Sequence, residues 1–229
     1  MIKAVFFDVD NTLYDFERVR NHGLSIALQH LYERLPNTRG RLTLQHLIQL
    51  REQVAEETEG SRLDLIEIRT ESFRRALAAC GYGDDLAPEL TRIYTAHRFS
   101  AARPFDGALA ALRALQGRYV LGVISNANTS LECLGLEDYF DHRLYAEEVG
   151  LVKPDPRIFE MAMNRVPCRA EEFLFVGDSV EFDVMGAMNA GARSAWFNPQ
   201  GTPYPDGLAR PDFAISDLSE LVGIVERLK

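Results

Sequence analysis

The segment Ala4-Val5-Phe6-Phe7 is apolar at every position and stops at an acid, Asp8. A strand with one wet face alternates apolar and polar residues. One without alternation must be covered on both faces, which happens chiefly in parallel sheets flanked by helices. The pattern returns at Tyr119–Ile124 and Phe173–Val176, and in shorter form at Ala195–Phe197 and Phe213–Ile215. Helical spacing lies between these runs: Leu109, Leu112 and Leu115; Pro156 to about Arg165; Asp183 to Ala190, ended by Gly191 as a C′ glycine; and Leu218 to Leu228. The alternation predicts an α/β protein built on a doubly wound, Rossmann-like parallel sheet.

One stretch breaks the alternation. Leu24, Ile26, Leu28 and Leu31, then Leu44, Leu47, Ile48 and Val54, then Leu65, Ile68, Phe73 and Leu77 recur at near-helical spacing among charges, predicting about four amphipathic helices and no strand. The expected organisation is a core of residues 1–14 and 99–229 with an all-helical insert, 15–98. A chain of 229 residues that is 46% apolar can bury a core of that size. Its 34 acidic against 25 basic residues, net −9, disfavour non-specific nucleic-acid binding. No apolar run approaches the ~20 residues of a membrane helix, and the N-terminus reaches its acids too early for a secretory signal. Cys80, Cys133 and Cys168 are odd in number and form no CxxC pair, which suits a reducing compartment. The expectation is a cytoplasmic monomer or homodimer with no nucleic-acid or membrane partner.

In open parallel sheets, ligands collect beyond the carboxyl ends of the strands. Just past those ends lie Asp8, Asp10, Asn11 and Thr12, then Ser125 and Asn126, then Asp178 and Ser179 with Asp183 one helical turn on. Lys153 sits just before a helix, in Gly150-Leu151-Val152-Lys153-Pro154-Asp155-Pro156. Asp8, Asp10 and Asp178 crowded together would repel unless a divalent cation supplied the balancing charge. Oxygen-only ligands suit Mg²⁺, which takes one or two carboxylates plus a substrate phosphate. Lys153 and Ser125 would hold the remaining phosphate oxygens, and a carboxylate attacking the phosphoryl group would give an aspartyl-phosphate.

With these blocks in this order, Phe7-Asp8-Val9-Asp10-Asn11-Thr12-Leu13-Tyr14, Ile124-Ser125-Asn126, Lys153-Pro154, and Gly177-Asp178-Ser179 through Asp183 to Gly186 and Ala190-Gly191, the chain resembles the haloacid dehalogenase-like hydrolases over essentially its whole length. The helical insert is similar to that family's small helical cap. The resemblance implies Asp8 as nucleophile and Asp10 as general acid/base. Asp8 and Asp178 would bind Mg²⁺ through side-chain oxygens and Asp10 through its backbone carbonyl. Thr12, Ser125, Asn126 and Lys153 would bind phosphate, with Asp183 supporting the site from behind. Asp10 separates two branches of the family. A halide leaves without a proton, whereas the alkoxide of a phosphate ester needs one, so an acid at this position favours a phosphatase over a dehalogenase.

Gly135-Leu136-Glu137-Asp138-Tyr139-Phe140-Asp141 and Ala195-Trp196-Phe197-Asn198-Pro199 look similar to bacterial phosphatases of nucleoside monophosphates, and equally to those of riboflavin-pathway phosphates. The expected substrate is thus a small phosphorylated metabolite of one of these kinds. Alternatives are a phosphomutase of sugar phosphates, a phospho-acceptor signalling domain and a family member that only binds ligand. The five histidines show no metal-ligand spacing. Arg69, Arg74 and Arg75 are expected on a solvated helix face, Trp196 in the core, and Cys80 and Cys133 as buried thiols.

Overall fold

The computed structural model describes residues 1–58, 65–127 and 129–228. The chain divides into two compact units, one of residues 1–15 and 103–229, the other of residues 16–102.

The first unit is a six-stranded sheet: β1 (Ala4–Phe7), β2 (Val120–Ser125), β3 (His142–Tyr145), β4 (Phe173–Gly177), β5 (Arg193–Phe197) and β6 (Phe213–Ile215). Every pairing is parallel, in the order β3-β2-β1-β4-β5-β6. β1 lies between β2 and β4, with Ala4 facing Val120 on one side and Phe173 on the other. All four β1 residues are fully buried, as the unbroken apolar run requires. Phe6 packs against Phe173 at 4.6 Å between ring centroids with the rings tilted by 35°, and Gly122 makes room for it: a Cβ there would lie 2.2 Å from the Phe6 ring. Connections run outward from β1 to β3, then return across β1 to β4, so the switch in winding falls between β1 and β4. That is where a doubly wound sheet opens a crevice for ligand.

Helices of this unit are α5 (Ala108–Leu115), α6 (Ala146–Val149), α7 (Pro156–Met163), α8 (Gly186–Asn189) and α9 (Glu220–Arg227), numbered after the four of the second unit. The α7 helix begins at Asp155, whose carboxylate accepts from Arg157 N at 3.0 Å, and has Pro156 in its first turn. Its Ile158, Phe159 and Ala162 are buried against Phe6, Ile124 and Phe175. Each such large apolar side chain contributes about 1.5–3 kcal/mol over leaving it in water.

Two secondary-structure elements of this unit differ from the sequence-based expectation. The β3 strand is absent from it: His142-Arg143-Leu144-Tyr145 is too polar to read as buried, because only Leu144 is fully covered. The helix expected over 183–190 begins earlier and is split, Val180–Met185 winding as a π-helix and only Gly186–Asn189 as α. The wider turn accommodates two demands on Ser179, whose hydroxyl caps the Phe182 amide at 3.1 Å while its carbonyl accepts from both Asp183 N and Val184 N.

Glu172, just before β4, joins that strand to β1. Its carboxylate accepts from Arg169 N at 2.8 Å and from Lys3 Nζ at 3.0 Å, and its own carbonyl accepts from Lys3 N. Backbone hydrogen bonding to Arg169, then the Lys3 ammonium, lower its pKa from 4.5 to about 2. A depressed carboxylate stabilises the fold above its unfolded pKa, and the contribution is lost as pH falls through the folded value. Glu172→Gln is therefore expected to lower the urea midpoint at pH 7, with the gap from wild type narrowing steadily between about pH 4.5 and 2. A gap of equal size at pH 7 and pH 3 would assign the loss to geometry and not to charge.

The second unit holds α1 (Phe16–Arg34), α2 (Leu44–Glu57), α3 (Leu65–Ala79) and α4 (Ala87–Arg98). Thr43 caps α2 by accepting from His46 N at 3.3 Å. Leu24, Leu28, Leu31, Leu47, Phe73, Leu77, Leu90 and Tyr94 form the core of this unit. The crossing of α1 with α4 requires Gly23, where a Cβ would meet Arg98 Cβ and Tyr94 at 2.9 Å. Arg74 and Arg75 lie towards solvent and pair with Glu71, Glu57 and Asp84. Arg69 departs from the expected solvated face. It is buried at 6% exposure, its guanidinium 5.7 Å from the Tyr94 ring, because it shares the inward side of α3 with Phe73 and Ala76. Cys80 is buried as expected, whereas Cys133, in the first unit, is exposed, since it falls in a short 3₁₀ turn (Leu131–Leu134) that covers only Leu131 and Leu134. Among the described residues, no helix is long and apolar enough to cross a membrane.

Candidate active site

The crevice at the carboxyl ends of β1 and β4 gathers most of the sequence-predicted residues. Asp8 directly follows β1, Ser125 ends β2, and Asp178 directly follows β4. Beyond Asp8 the chain turns sharply. Asn11 adopts φ 60°, a left-handed conformation that Asn tolerates better than most residues, and Leu13 N closes the turn onto Val9 O at 2.9 Å. Thr12 thereby reaches across to β4, accepting from Asp178 N at 3.1 Å and donating to Asp178 Oδ1 at 3.4 Å. Trp196 Nε1 donates to Asp178 O at 2.8 Å, so the loop after β4 is held from two sides. Trp196 is buried as expected, but its role at this loop could not be read from an apolar strand pattern.

Lys153 is the hub. At 3% exposure, its Nζ donates to Asp8 Oδ1 and to Asp183 Oδ1, both at 2.6 Å. Asp183 is buried at 1%. Its second oxygen accepts from Ser179 N at 2.9 Å, so both are committed. Gly177 is the neighbour this requires, since a Cβ there would lie 2.3 Å from the Asp183 carboxyl carbon. Asn126, expected among the phosphate-binding residues, spends its side-chain amide on the main chain of Lys153, accepting from its N at 2.8 Å and donating to its O at 2.9 Å. Ser125 Oγ is buried and accepts from Ala127 N at 3.1 Å. A hydroxyl so placed still has its own hydrogen to donate to an anion. Asp10 is half-buried, and Tyr14 OH donates to its Oδ1 at 2.7 Å.

The electrostatics follow from this crowding. Among the described residues, Asp8, Asp178 and Asp183 each bring a carboxylate oxygen within 4.8 Å of the other two, against one buried ammonium. Burial first, then the charges of Asp183 and Asp178, push the Asp8 carboxyl well above its ordinary range, with Lys153 opposing. Burial and Asp183 raise Asp178 to about 6. Burial works against the Lys153 ammonium, but the attraction of Asp183 and Asp8 prevails and raises its pKa. The excess negative charge and the all-oxygen donor set fit a hard divalent cation. Asp8 and Asp178 could hold it, because the Asp183 oxygens are already taken.

Comparison with known proteins gives the family. The family model described as haloacid dehalogenase-like hydrolase matches residues 2–191, and the chain belongs to that family of hydrolases. Among individual proteins, it is 33% identical over 213 residues to a glyceraldehyde 3-phosphate phosphatase of Methanothermobacter thermautotrophicus, covering 88% of each chain. It is 38% identical to the pyrimidine 5′-nucleotidase YjjG of Escherichia coli over 125 residues, 52% of this chain and 55% of that enzyme. The structure of a 2-haloacid dehalogenase from Pseudomonas syringae superposes over 100% of both chains with a TM-score of 0.79 and 33% identity.

Proposed function

We propose that this protein is a Mg²⁺-dependent phosphatase of small phosphorylated metabolites, working through an aspartyl-phosphate on Asp8. The observation that carries the reading is Asp8 and Lys153 joined at 2.6 Å beside Asp178, with a second acid, Asp10, two residues on. In the proposed reaction an Asp8 oxygen attacks phosphorus while Lys153 and Ser125 hold non-bridging oxygens. Asp10 protonates the departing alkoxide. Asp10, now a carboxylate, takes a proton from the water that attacks the phosphorylated Asp8, which regenerates both acids and releases phosphate. Mg²⁺, held by Asp8, Asp178 and the Asp10 carbonyl, would keep the crowded carboxylates ionised and offset charge on the phosphoryl group. Thr12 and Asn126 serve this arrangement by fixing Asp178 and Lys153, and Asp183 by holding the ammonium.

Relatives are named both for dehalogenation and for phosphate release; a halide leaves without a proton whereas an alkoxide needs one, so Asp10 favours phosphate release. Within that class we favour a nucleoside monophosphate or riboflavin-pathway phosphate as substrate, supported by the likeness to the E. coli nucleotidase. A phosphomutase keeps both acids and remains the second reading. We further propose that residues 15–98 act as the cap that selects the substrate, and that the protein works in the cytoplasm as a monomer or homodimer. Free cysteines at 80, 133 and 168 fit that compartment.

The test is phosphate release from a panel of nucleotide, flavin, sugar and aryl phosphates, with 2-chloropropionate as a halide-release control. Activity is expected on phosphate monoesters, lost on chelation by several orders of magnitude and restored by Mg²⁺. Undiminished turnover after exhaustive chelation, or chloride release without phosphate release, would overturn the proposal.

A further inference from the structure

The geometry points to Tyr14 and Thr129 as positioning residues for Asp10, a role that rests on the phosphatase reading above. Tyr14 is fully buried, and its hydroxyl donates to Asp10 Oδ1 at 2.7 Å. The same hydroxyl lies 3.1 Å from Oγ1 of Thr129, also fully buried. A phenol has one hydrogen, so once it is given to Asp10 the Thr129 contact must run the other way, with Oγ1 donating to Tyr14. The result is a directed chain, Thr129 to Tyr14 to Asp10, ending on one named oxygen of the acid.

The chain is fixed at its base. Tyr14 pairs through its backbone with Asp10 and with Pro104, and Phe105 N donates to Leu13 O at 2.9 Å. The phenol is thus carried on the same short turn as Asp10, held by Pro104 and Phe105 of the returning chain, and its burial keeps water from the hydroxyl. A carboxyl group in a half-buried loop has a nearly free terminal torsion. Anchoring Oδ1 removes that freedom and leaves Oδ2 to carry the proton to the leaving oxygen, and afterwards to accept one from water. Misplacing a reacting group by about an ångström can cost on the order of a hundredfold in rate. Buried hydroxyls that accept and donate in series also hold each other's orientation better than either alone.

This role separates from mere packing by its dependence on the leaving group. General-acid help matters most when the departing oxygen is strongly basic and least when it is a phenolate. Tyr14→Phe keeps the ring and its burial and removes only the hydroxyl. It is expected to lower kcat/KM at least tenfold on an alkyl ester such as a nucleoside 5′-monophosphate, with kcat/KM on p-nitrophenyl phosphate within about twofold of wild type. That constant ends at departure of the leaving group and so leaves out the water step common to all esters. Thr129→Val should show the same pattern at smaller amplitude. In an Asp10→Asn background, Tyr14→Phe should add almost nothing, because the group it orients is gone. Equal fractional losses on alkyl and aryl esters, full alkyl turnover in Tyr14→Phe, or an additive loss on Asp10→Asn would each overturn the assignment while leaving the phosphatase reading standing. A wild-type enzyme that hydrolyses neither ester would overturn the phosphatase reading and this role with it.

Discussion

Asp8→Asn is expected to abolish turnover, with phosphate release falling at least 10³-fold on every ester. Replacing a covalent nucleophile removes the reaction path, and losses of several orders of magnitude are usual. An amide oxygen is a weaker nucleophile and a poorer ligand for a hard cation than a carboxylate, so attack and cation binding fail together. The fold should survive. Asp8 lies past the end of β1, where Ala4, Val5, Phe6 and Phe7 make the packing. A neutral amide also relieves the repulsion with Asp178 and Asp183 that pushes the Asp8 carboxyl upward. The melting temperature should therefore stay within a few degrees of wild type while activity disappears. Retention of more than a tenth of wild-type turnover would show that another group attacks phosphorus.

Much of this site was legible in the sequence because it sits where local patterns end. β1, β2 and β4 announce themselves as apolar runs, and the residue after a run is fixed at the sheet edge whatever the tertiary details. Asp8, Ser125 and Asp178 could be placed that way. Lys153 and Asp183 also stand near those ends, but a lysine before a helix and an acid in a first helical turn suit an exposed face as well as a site. What decides between the readings is a 2.6 Å contact between residues 30 apart in the chain, and no local periodicity encodes that. Tyr14 and Trp196 were missed as contributors because each is large, apolar in outline and buried, so the pattern files them with the core. Their polar tips act on Asp10 and on the Asp178 carbonyl. Arg69 was misplaced for the opposite reason: a charged residue reads as exposed, while its long stem lies among Phe73 and Ala76 and its head near Tyr94. The β3 strand escaped because an edge-ward strand beside β2 needs only Leu144 covered.

The second large effect is expected at Lys153. This ammonium touches two carboxylates in a nearly water-free setting, and Lys153→Met keeps most of the stem while deleting the charge. Breaking a buried ion pair by removing one partner costs about 3–5 kcal/mol, because the charge left behind has lost both water and its counter-ion. Here two carboxylates are left, with Asp178 close by. For a chain of this size that loss corresponds to a melting temperature lower by roughly 10 °C. Turnover should fall at least 10²-fold as well, since the same ammonium is assigned to hold phosphate oxygens while charge shifts in the transition state. Lys153→Arg separates the two roles. A guanidinium restores the positive charge, so part of the lost stability should return. Its planar fork is too wide to meet two carboxylate oxygens at 2.6 Å from a single nitrogen, so turnover should remain low. Added Mg²⁺ should raise the melting temperature of Lys153→Met more than that of wild type, because the cation then supplies all of the charge that opposes Asp8 and Asp178. A Lys153→Met protein as stable as wild type without Mg²⁺ would mean that the carboxylates share protons among themselves and that the lysine is not what holds the cluster together.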